Sequence, residues 1–340
     1  MLGTPTSAFD RGSVVAVSLD TETGRDRYFA AREAELRELV DPETGLVSER
    51  FAKRVDCPGC GSSAYTELFV KGGYPIVRCD ECSLVFSNPQ VDESVVLEEY
   101  REGGSNDLWV DVLTSPRQLE LDRAKFGEIL DELEPHRGDG RLLDVGTSIG
   151  LFLRLALDRG WTGGGTEFGR RALTYAQDEL RVPVDDSPIE RLDGEHDVVT
   201  VLSVLEHVNR PREFLRHVAR LLKPGGATYL IVPNVASLAT RVLHERAATF
   251  DGRNHLLYFS PATLRDLLAR ENFEVVALRT RVASLDPVLE WLTYNEPYTG
   301  GPPDADPLVQ AVAERRSAVE RLLEELDLGY KLHCLAVKTE

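Results

Sequence analysis

The chain has 340 residues, 42% of them hydrophobic, and a formal net charge of -18, enough to bury full cores over about two domains of a soluble globular protein. No apolar run approaches the roughly 18 residues that span a bilayer, and the start MLGTPTSAFDRGSVVAV lacks the basic opening and long apolar centre of a signal peptide; the expectation is a cytoplasmic protein with no membrane partner. The acidic balance repels polyanions, and the arginines are scattered among Asp and Glu without forming a basic patch, so no nucleic-acid partner is expected.

In chain order, residues 1–55 include REAELRELVDPE, a charged amphipathic helix expected to present a solvated face. Two C-x-x-C knuckles follow, Cys57-Pro58-Gly59-Cys60 and Cys79-Asp80-Glu81-Cys82, separated by 18 residues. That spacing suits a zinc ribbon, with a hairpin of YTELFV and YPIVR around Lys71-Gly72-Gly73 bringing the knuckles together. Four thiolates would fill a tetrahedral ion and leave no place for water, so the site reads as structural; a redox pair would want one C-x-x-C in a βαβ setting. Cys334, in the apolar run KLHCLAVK, reads as an inert core residue. Residues 1–110 are read as an amino-terminal helical segment with the ribbon, and 111–340 as a second domain entered through a helix over 115–135.

From residue 141 strand and helix alternate: RLLDV and a helix over 149–159, WTGGGTEF and RRALTYAQDEL, HDVVTVLS and PREFLRHVARLL, then ATYLIVPN. Such alternation predicts an α/β fold with a parallel sheet covered on both faces. FEVVALRTRV and YKLHCLAVKTE read as two further strands, a two-strand antiparallel addition, with a mostly polar helical segment over 307–326 between them. Residues 285–306 combine Trp291, Tyr294 and Tyr298 with Pro and Gly, and the span 285–328 is read as a lid or subunit-contact insertion, consistent with a homodimer.

The cofactor follows from the turn after RLLDV. A dinucleotide fold would show G-x-G-x-x-G, whereas this turn reads Asp144-Val145-Gly146-Thr147-Ser148-Ile149-Gly150, with a carboxylate at the strand tip. A carboxylate opposes a pyrophosphate but favours an ammonium or a sulfonium, and S-adenosylmethionine carries both. Glu167, 23 residues after Asp144 at the end of the next strand, stands where ribose hydroxyls are accepted in such folds.

With these residues in place, 141–282 resembles the core of the class I S-adenosylmethionine-dependent methyltransferases, through LLDVGTSIGLF, GGGTEFGRRALTYAQDEL, HDVVTVLSVLEHV and LLKPGGATYLIVPN. The resemblance implies a Rossmann-like sheet of seven strands, mostly parallel with an antiparallel last strand, and the cofactor across the tips of its first strands. It implies that Asp144, Gly146, Thr147, Ser148 and Gly150 border the methionine moiety and that Glu167 holds the ribose. Phe168, with Asp186 and Ser187, would flank the adenine, and Leu202 and Ser203 at the fourth strand's exit complete the set. Ser148 departs from the Gly of many members. The tract HLLYFSPATLRDLLARENFEVV is similar to a subgroup acting on sugars and natural products, in which a zinc-binding segment precedes the core. Its sugar C-methyltransferases carry Glu-His before the Tyr-Phe-Ser tract; here the pair is Asn254-His255, which favours transfer to oxygen or nitrogen over carbon.

An activated sulfonium methyl mainly needs an aligned acceptor and exclusion of water, and a hydroxyl acceptor gains from a base near neutrality. His255, in GRNHLLYFS, and His207, in Leu205-Glu206-His207-Val208, stand at loops beyond strand ends where an open sheet binds ligands; Glu206 is read as binding the acceptor or bracing a histidine. His136, His196, His217, His244 and His333 read as structural. The expected function is methyl transfer from S-adenosylmethionine to a small-molecule acceptor, a sugar, aminoglycoside-like compound or secondary metabolite, with structural Zn2+. An RNA methyltransferase and a non-catalytic cofactor-binding scaffold are the other classes weighed.

Overall fold

The computed structural model describes residues 22–294 and 306–339. The first 21 residues of the amino-terminal segment, and Tyr298 with the rest of 295–305, lie outside the described residues.

The chain begins with α1 (Arg25–Glu38), in which the buried residue is Arg32. The helix expected to be solvated thus docks, through the Arg32–Glu99 ion pair, the contact of the Tyr28 ring with Trp109 and the packing of Leu36 against an apolar cluster. Five short strands follow: β1 (Ala52–Lys53), β2 (Tyr65–Lys71), β3 (Tyr74–Cys79), β4 (Val85–Ser87) and β5 (Gln90–Val91). β2 and β3 form the expected hairpin, Lys71 facing Tyr74 in register. Helices α2 (Glu93–Glu102), α3 (Ser105–Thr114) and α4 (Pro116–Leu133) lead into the alternating region.

That region runs β6 (Arg141–Val145), α5 (Leu151–Asp158), β7 (Thr162–Thr166), α6 (Arg170–Asp178), β8 (Val184–Asp185), β9 (His196–Leu202), α7 (Pro211–Leu221) and β10 (Leu222–Pro233). It continues with α8 (Leu238–Leu243), β11 (Leu257–Tyr258), α9 (Pro261–Arg270), β12 (Phe273–Arg281), α10 (Asp286–Tyr294), α11 (Pro307–Glu314), α12 (Arg316–Glu325) and β13 (Lys331–Lys338). Seven strands form one sheet in the order β12-β13-β10-β9-β6-β7-β8. Pairs from β10 through β8 are parallel, and β13 is antiparallel to both β10 and β12. The last strand is reversed as expected, but β12 is not: β13 inserts between β10 and β12, so β12 runs with the parallel set and the two-strand antiparallel addition reduces to one strand.

β9 is buried over its first six residues on both faces, which is why HDVVTVL is a continuous apolar run rather than an alternating one. In α7, Phe214, Leu215, Val218 and Leu221 are buried at helical spacing against it. The glycine run of β7 has a steric cause: a Cβ at Gly163 would lie 1.8 Å from the Leu142 carbonyl oxygen, and one at Gly165 would lie 2.7 Å from that of Asp144.

β11, although it follows β10 by more than twenty residues, pairs with β4, Leu257 opposite Phe86 and Tyr258 opposite Val85. The cysteine-bearing sheet therefore has the order β11-β4-β3-β2. Leu256, Leu257, Tyr258 and Phe259 are fully buried, each large side chain contributing about 1.5–3 kcal/mol of burial. One apolar cluster runs from Val77, Leu84 and Phe86 through Leu257 and Phe259 to Val145, Val199 and Leu230 in the central sheet. In the insertion, Leu285, Leu289 and Leu323 pack with Leu238 of α8, and the Arg246 guanidinium lies over the Trp291 ring at 4.8 Å. Among the described residues no helix is long and apolar enough to cross a membrane.

Candidate functional site

The carboxyl ends of β8, β7, β6 and β9 are adjacent in the sheet, so the segments after them, carrying Asp186 and Ser187, Glu167 and Phe168, 146–150, and Leu202 and Ser203, lie along one edge. The loop after β6 alternates into left-handed backbone at Gly146 (φ 71°), Ser148 (φ 52°) and Gly150 (φ 79°). Gly146 is required: a Cβ there would stand 2.5 Å from Cγ2 of Val204. Ser148 occupies a conformation that glycine adopts without strain and an L-residue does not.

Asp144 is 1% exposed. The Thr147 hydroxyl donates to its Oδ2 and the Thr200 hydroxyl to its Oδ1, both at 2.6 Å. The carboxylate expected at the strand tip is thus turned onto two threonines and braces the loop. Burial pushes this carboxyl up to about 6, the two hydroxyls opposing the shift. Glu167 spans the gap to the next strand: Oε2 accepts from the Ser148 amide at 2.8 Å, and Oε1 from the Gly169 amide at 2.6 Å. Burial raises its pKa while the amides of Gly169, Ser148 and Phe168 hold it down. Each oxygen keeps a second lone pair, which suits two neighbouring hydroxyl donors. After β8 the Ser187 amide donates to Oδ1 of Asp185 at 2.8 Å. After β9 Ser203 takes φ 60°, and its amide donates to the Ile231 carbonyl at 2.8 Å.

Glu206 and His207 lie in the 3-10 turn Leu205–His207 that follows β9, and His255 lies just before β11. The structure brings them together: the two imidazoles meet edge to face, with ring centroids 5.0 Å apart, and one ligand atom from each of Glu206, His207 and His255 lies within 4.8 Å of the others. Nδ1 of His255 stands 2.9 Å from the Thr249 carbonyl. A carbonyl can only accept, so Nδ1 carries the proton and Nε2 keeps the lone pair. Burial and the neighbouring His255 push the His207 imidazole down to about 3, so that ring is neutral.

The loop holding His255 is fixed by a residue the sequence reading missed. Asp251 Oδ1 accepts from the amides of Arg253, Asn254 and His255 at 2.9, 2.7 and 3.2 Å. Its Oδ2 lies 3.5 Å from Nε of Arg32 in α1. Although burial alone would raise it, the Arg32 guanidinium and His255, with the Asn254 amide, hold the Asp251 carboxyl well below the usual range. Arg32 also pairs with Glu99 at 2.6 Å, and Arg253 with Glu99 at 2.8 Å. Asp251 could have been suspected from its Asp-Gly turn; Arg32 gave no signal, because apart from Glu35 in the same helix its partners lie in α2 and in a loop far along the chain. Lys331, also missed, places Nζ 3.8 Å from Oε1 of Glu206. Tyr258 spends its hydroxyl inside the loop, donating to the His255 carbonyl at 2.6 Å. His196 and His333 take structural partners as expected, the Leu221 carbonyl and the Tyr229 hydroxyl, each at 3.2 Å.

The four cysteines form a separate cluster. Sγ of Cys57 and Cys82 are 3.5 Å apart, as are those of Cys60 and Cys79, and all four lie within 4.8 Å of one another. Disulfide sulfurs stand about 2.05 Å apart, whereas four sulfurs at about 2.3 Å from a tetrahedral zinc stand about 3.8 Å apart. Burial pushes the Cys82 thiol up to about 11, and a cation among the four sulfurs would offset the cost of bringing thiolates this close.

A family model described as a methyltransferase domain matches residues 117–278. Over 103 residues the chain is 36% identical to a ubiquinone biosynthesis O-methyltransferase of Pseudomonas aeruginosa (strain LESB58), covering 28% of this chain and 44% of that protein. Over 150 residues it is 31% identical to the protein of that name from Dechloromonas aromatica (strain RCB), covering 34% of this chain and 63% of that one. The chain thus spans under half the length of the first of these relatives. A magnesium protoporphyrin IX methyltransferase from Synechocystis PCC 6803 with bound SAH aligns with a TM-score of 0.49 at 14% identity, over 73% of this chain and 100% of that one. A SAM-dependent methyltransferase from Archaeoglobus fulgidus aligns with a TM-score of 0.45 at 19% identity, over the same shares of each chain. Residues 117–278 carry a methyltransferase domain, preceded by a segment whose four cysteines form a cluster compatible with a zinc ribbon.

Proposed function

We propose that the protein transfers the methyl group of S-adenosylmethionine to a hydroxyl, or failing that an amine, of a small acceptor such as a sugar, an aminoglycoside-like compound or a secondary metabolite. The observation that carries this reading is the pairing of Glu167 with the Ser148 amide, which sets an acceptor of hydroxyl hydrogens beside the glycine loop. Glu167 takes the ribose hydroxyls on its remaining lone pairs, and Phe168, Asp186 and Ser187 flank the adenine. Gly146, Thr147, Ser148, Gly150, Leu202 and Ser203 border the methionine moiety. Asp144 supplies negative field beneath it rather than direct contact.

The reaction is a displacement. Bound S-adenosylmethionine would supply a methyl group on a sulfonium, which an acceptor oxygen could take as the sulfur left as a neutral thioether; the Glu206, His207 and His255 cluster stands to receive the acceptor proton. Aligning acceptor and methyl is most of the catalysis. Relatives named as O-methyltransferases favour oxygen. Asn254 cannot serve as the carboxylate base that carbon methylation next to a carbonyl would use. The four cysteines hold one Zn2+ that stabilises the fold and does no chemistry.

The test joins two measurements. Titration calorimetry should show S-adenosylhomocysteine binding to the wild type. His255→Ala should then lower turnover by roughly a hundredfold or more with that affinity little changed. Absence of S-adenosylhomocysteine binding would sink the reading.

A further inference from the structure

We propose that Glu206, His207 and His255 hold a divalent cation of the zinc class, a second metal site separate from the four cysteines. Their ligand atoms lie within 4.8 Å of one another. Ligands at about 2.1 Å from a tetrahedral ion stand about 3.4 Å apart, so closing on an ion asks for side-chain movement of about an ångström.

Three independent features point to a missing cation. Glu206 is 0% exposed, yet neither of its carboxylate oxygens has a hydrogen-bond partner. A buried carboxylate left so is costly. The cation facing it, Lys331, is 3.8 Å from Oε1 and directs its ammonium to the Ser203 hydroxyl at 3.4 Å. Nδ1 of His207 is likewise buried without a partner. His255 donates its Nδ1–H to the Thr249 carbonyl, which is how imidazoles that ligate metals through the other nitrogen are oriented. Two imidazoles and one carboxylate suit borderline divalent ions, zinc foremost, and leave a coordination position open. The methyltransferase reading enters only in naming what would meet that position, an acceptor oxygen; with both imidazole lone pairs engaged as ligands, the proton of that acceptor would go to the carboxylate oxygen of Glu206 that the ion leaves free.

Metal analysis of the wild type dialysed against zinc should return about two ions per chain, and Glu206→Gln and His255→Ala about one each. Should the variants fold poorly, cobalt(II) titration of the stripped wild type provides the same count. It should take up two equivalents, one with thiolate charge-transfer absorption in the near ultraviolet and one with only weak visible bands. A wild type that holds one ion, with cobalt saturating at the thiolate site, overturns the proposal and leaves Glu206 paired with Lys331 alone. So do variants that keep both ions. S-adenosylhomocysteine calorimetry on the same sample separates the two claims: binding with one ion sinks only the metal site, and two ions without binding sink only the methyltransferase reading.

Discussion

The Ser148 amide donates to Oε2 of Glu167 at 2.8 Å, so the turn after β6 and the tip of β7 are one rigid unit. Glu167→Gln keeps the size of the side chain but makes one terminal atom a donor that faces an amide donor. S-adenosylhomocysteine affinity should fall by at least tenfold, and calorimetry that finds it unchanged would remove Glu167 from the ribose site.

Ser148 sits at φ 52°, a region that costs an L-residue about 1–2 kcal/mol and glycine nothing, against the greater chain entropy of glycine in the unfolded state. Ser148→Gly should therefore stabilise the protein by up to about 1 kcal/mol in urea denaturation. A destabilised variant would mean that the serine side chain makes a contact worth more than the strain.

Asp144 carries a pH dependence of definite sign. Its carboxyl is pushed up from 3.8 to about 6 by burial, so the folded state holds the proton more tightly than the unfolded chain. The stabilisation is full below about pH 4, falls as pH rises, and is lost above about 6, a change on the order of 3 kcal/mol. Asp144→Asn cannot ionise, and the stability difference between wild type and variant should shift in the variant's favour between pH 4 and 7. Parallel stability curves for the two proteins would contradict the assignment.

Removal of the ion from the four cysteines should lower stability by about 3 kcal/mol or more. It should reduce turnover more than cofactor affinity, since β11 pairs with β4 of the cysteine-bearing sheet and begins two residues after His255. Dialysis against a chelator followed by thermal unfolding checks this, and an unchanged melting temperature would mean that thiols alone hold the cluster.

Much of this arrangement was legible in the sequence because it depends on neighbours close along the chain. The knuckles, the hairpin at Lys71-Gly72-Gly73, the alternation from β6 to β10 and the loop 144–150 are all local patterns. What escaped is non-local. The reversal of β13 alone follows from where it inserts in the sheet, and periodicity says nothing of strand order. Arg32, in a helix whose charge pattern reads as solvated, is 4% exposed because Asp251 and Glu99 meet it there. The orientation of Asp144 depended on Thr200, a β9 residue facing it across the sheet.

The β4–β11 ladder also limits how this protein could be cut or recombined. Its ribbon is built from two stretches separated by most of the Rossmann-like sheet, so no single break in the chain releases either lobe intact. A fragment ending before residue 257 would leave β4 with an open edge, a template for sticking to other chains rather than a smaller working enzyme. Exchange of the ribbon with a cousin's would have to carry the 251–259 loop along, and with it His255.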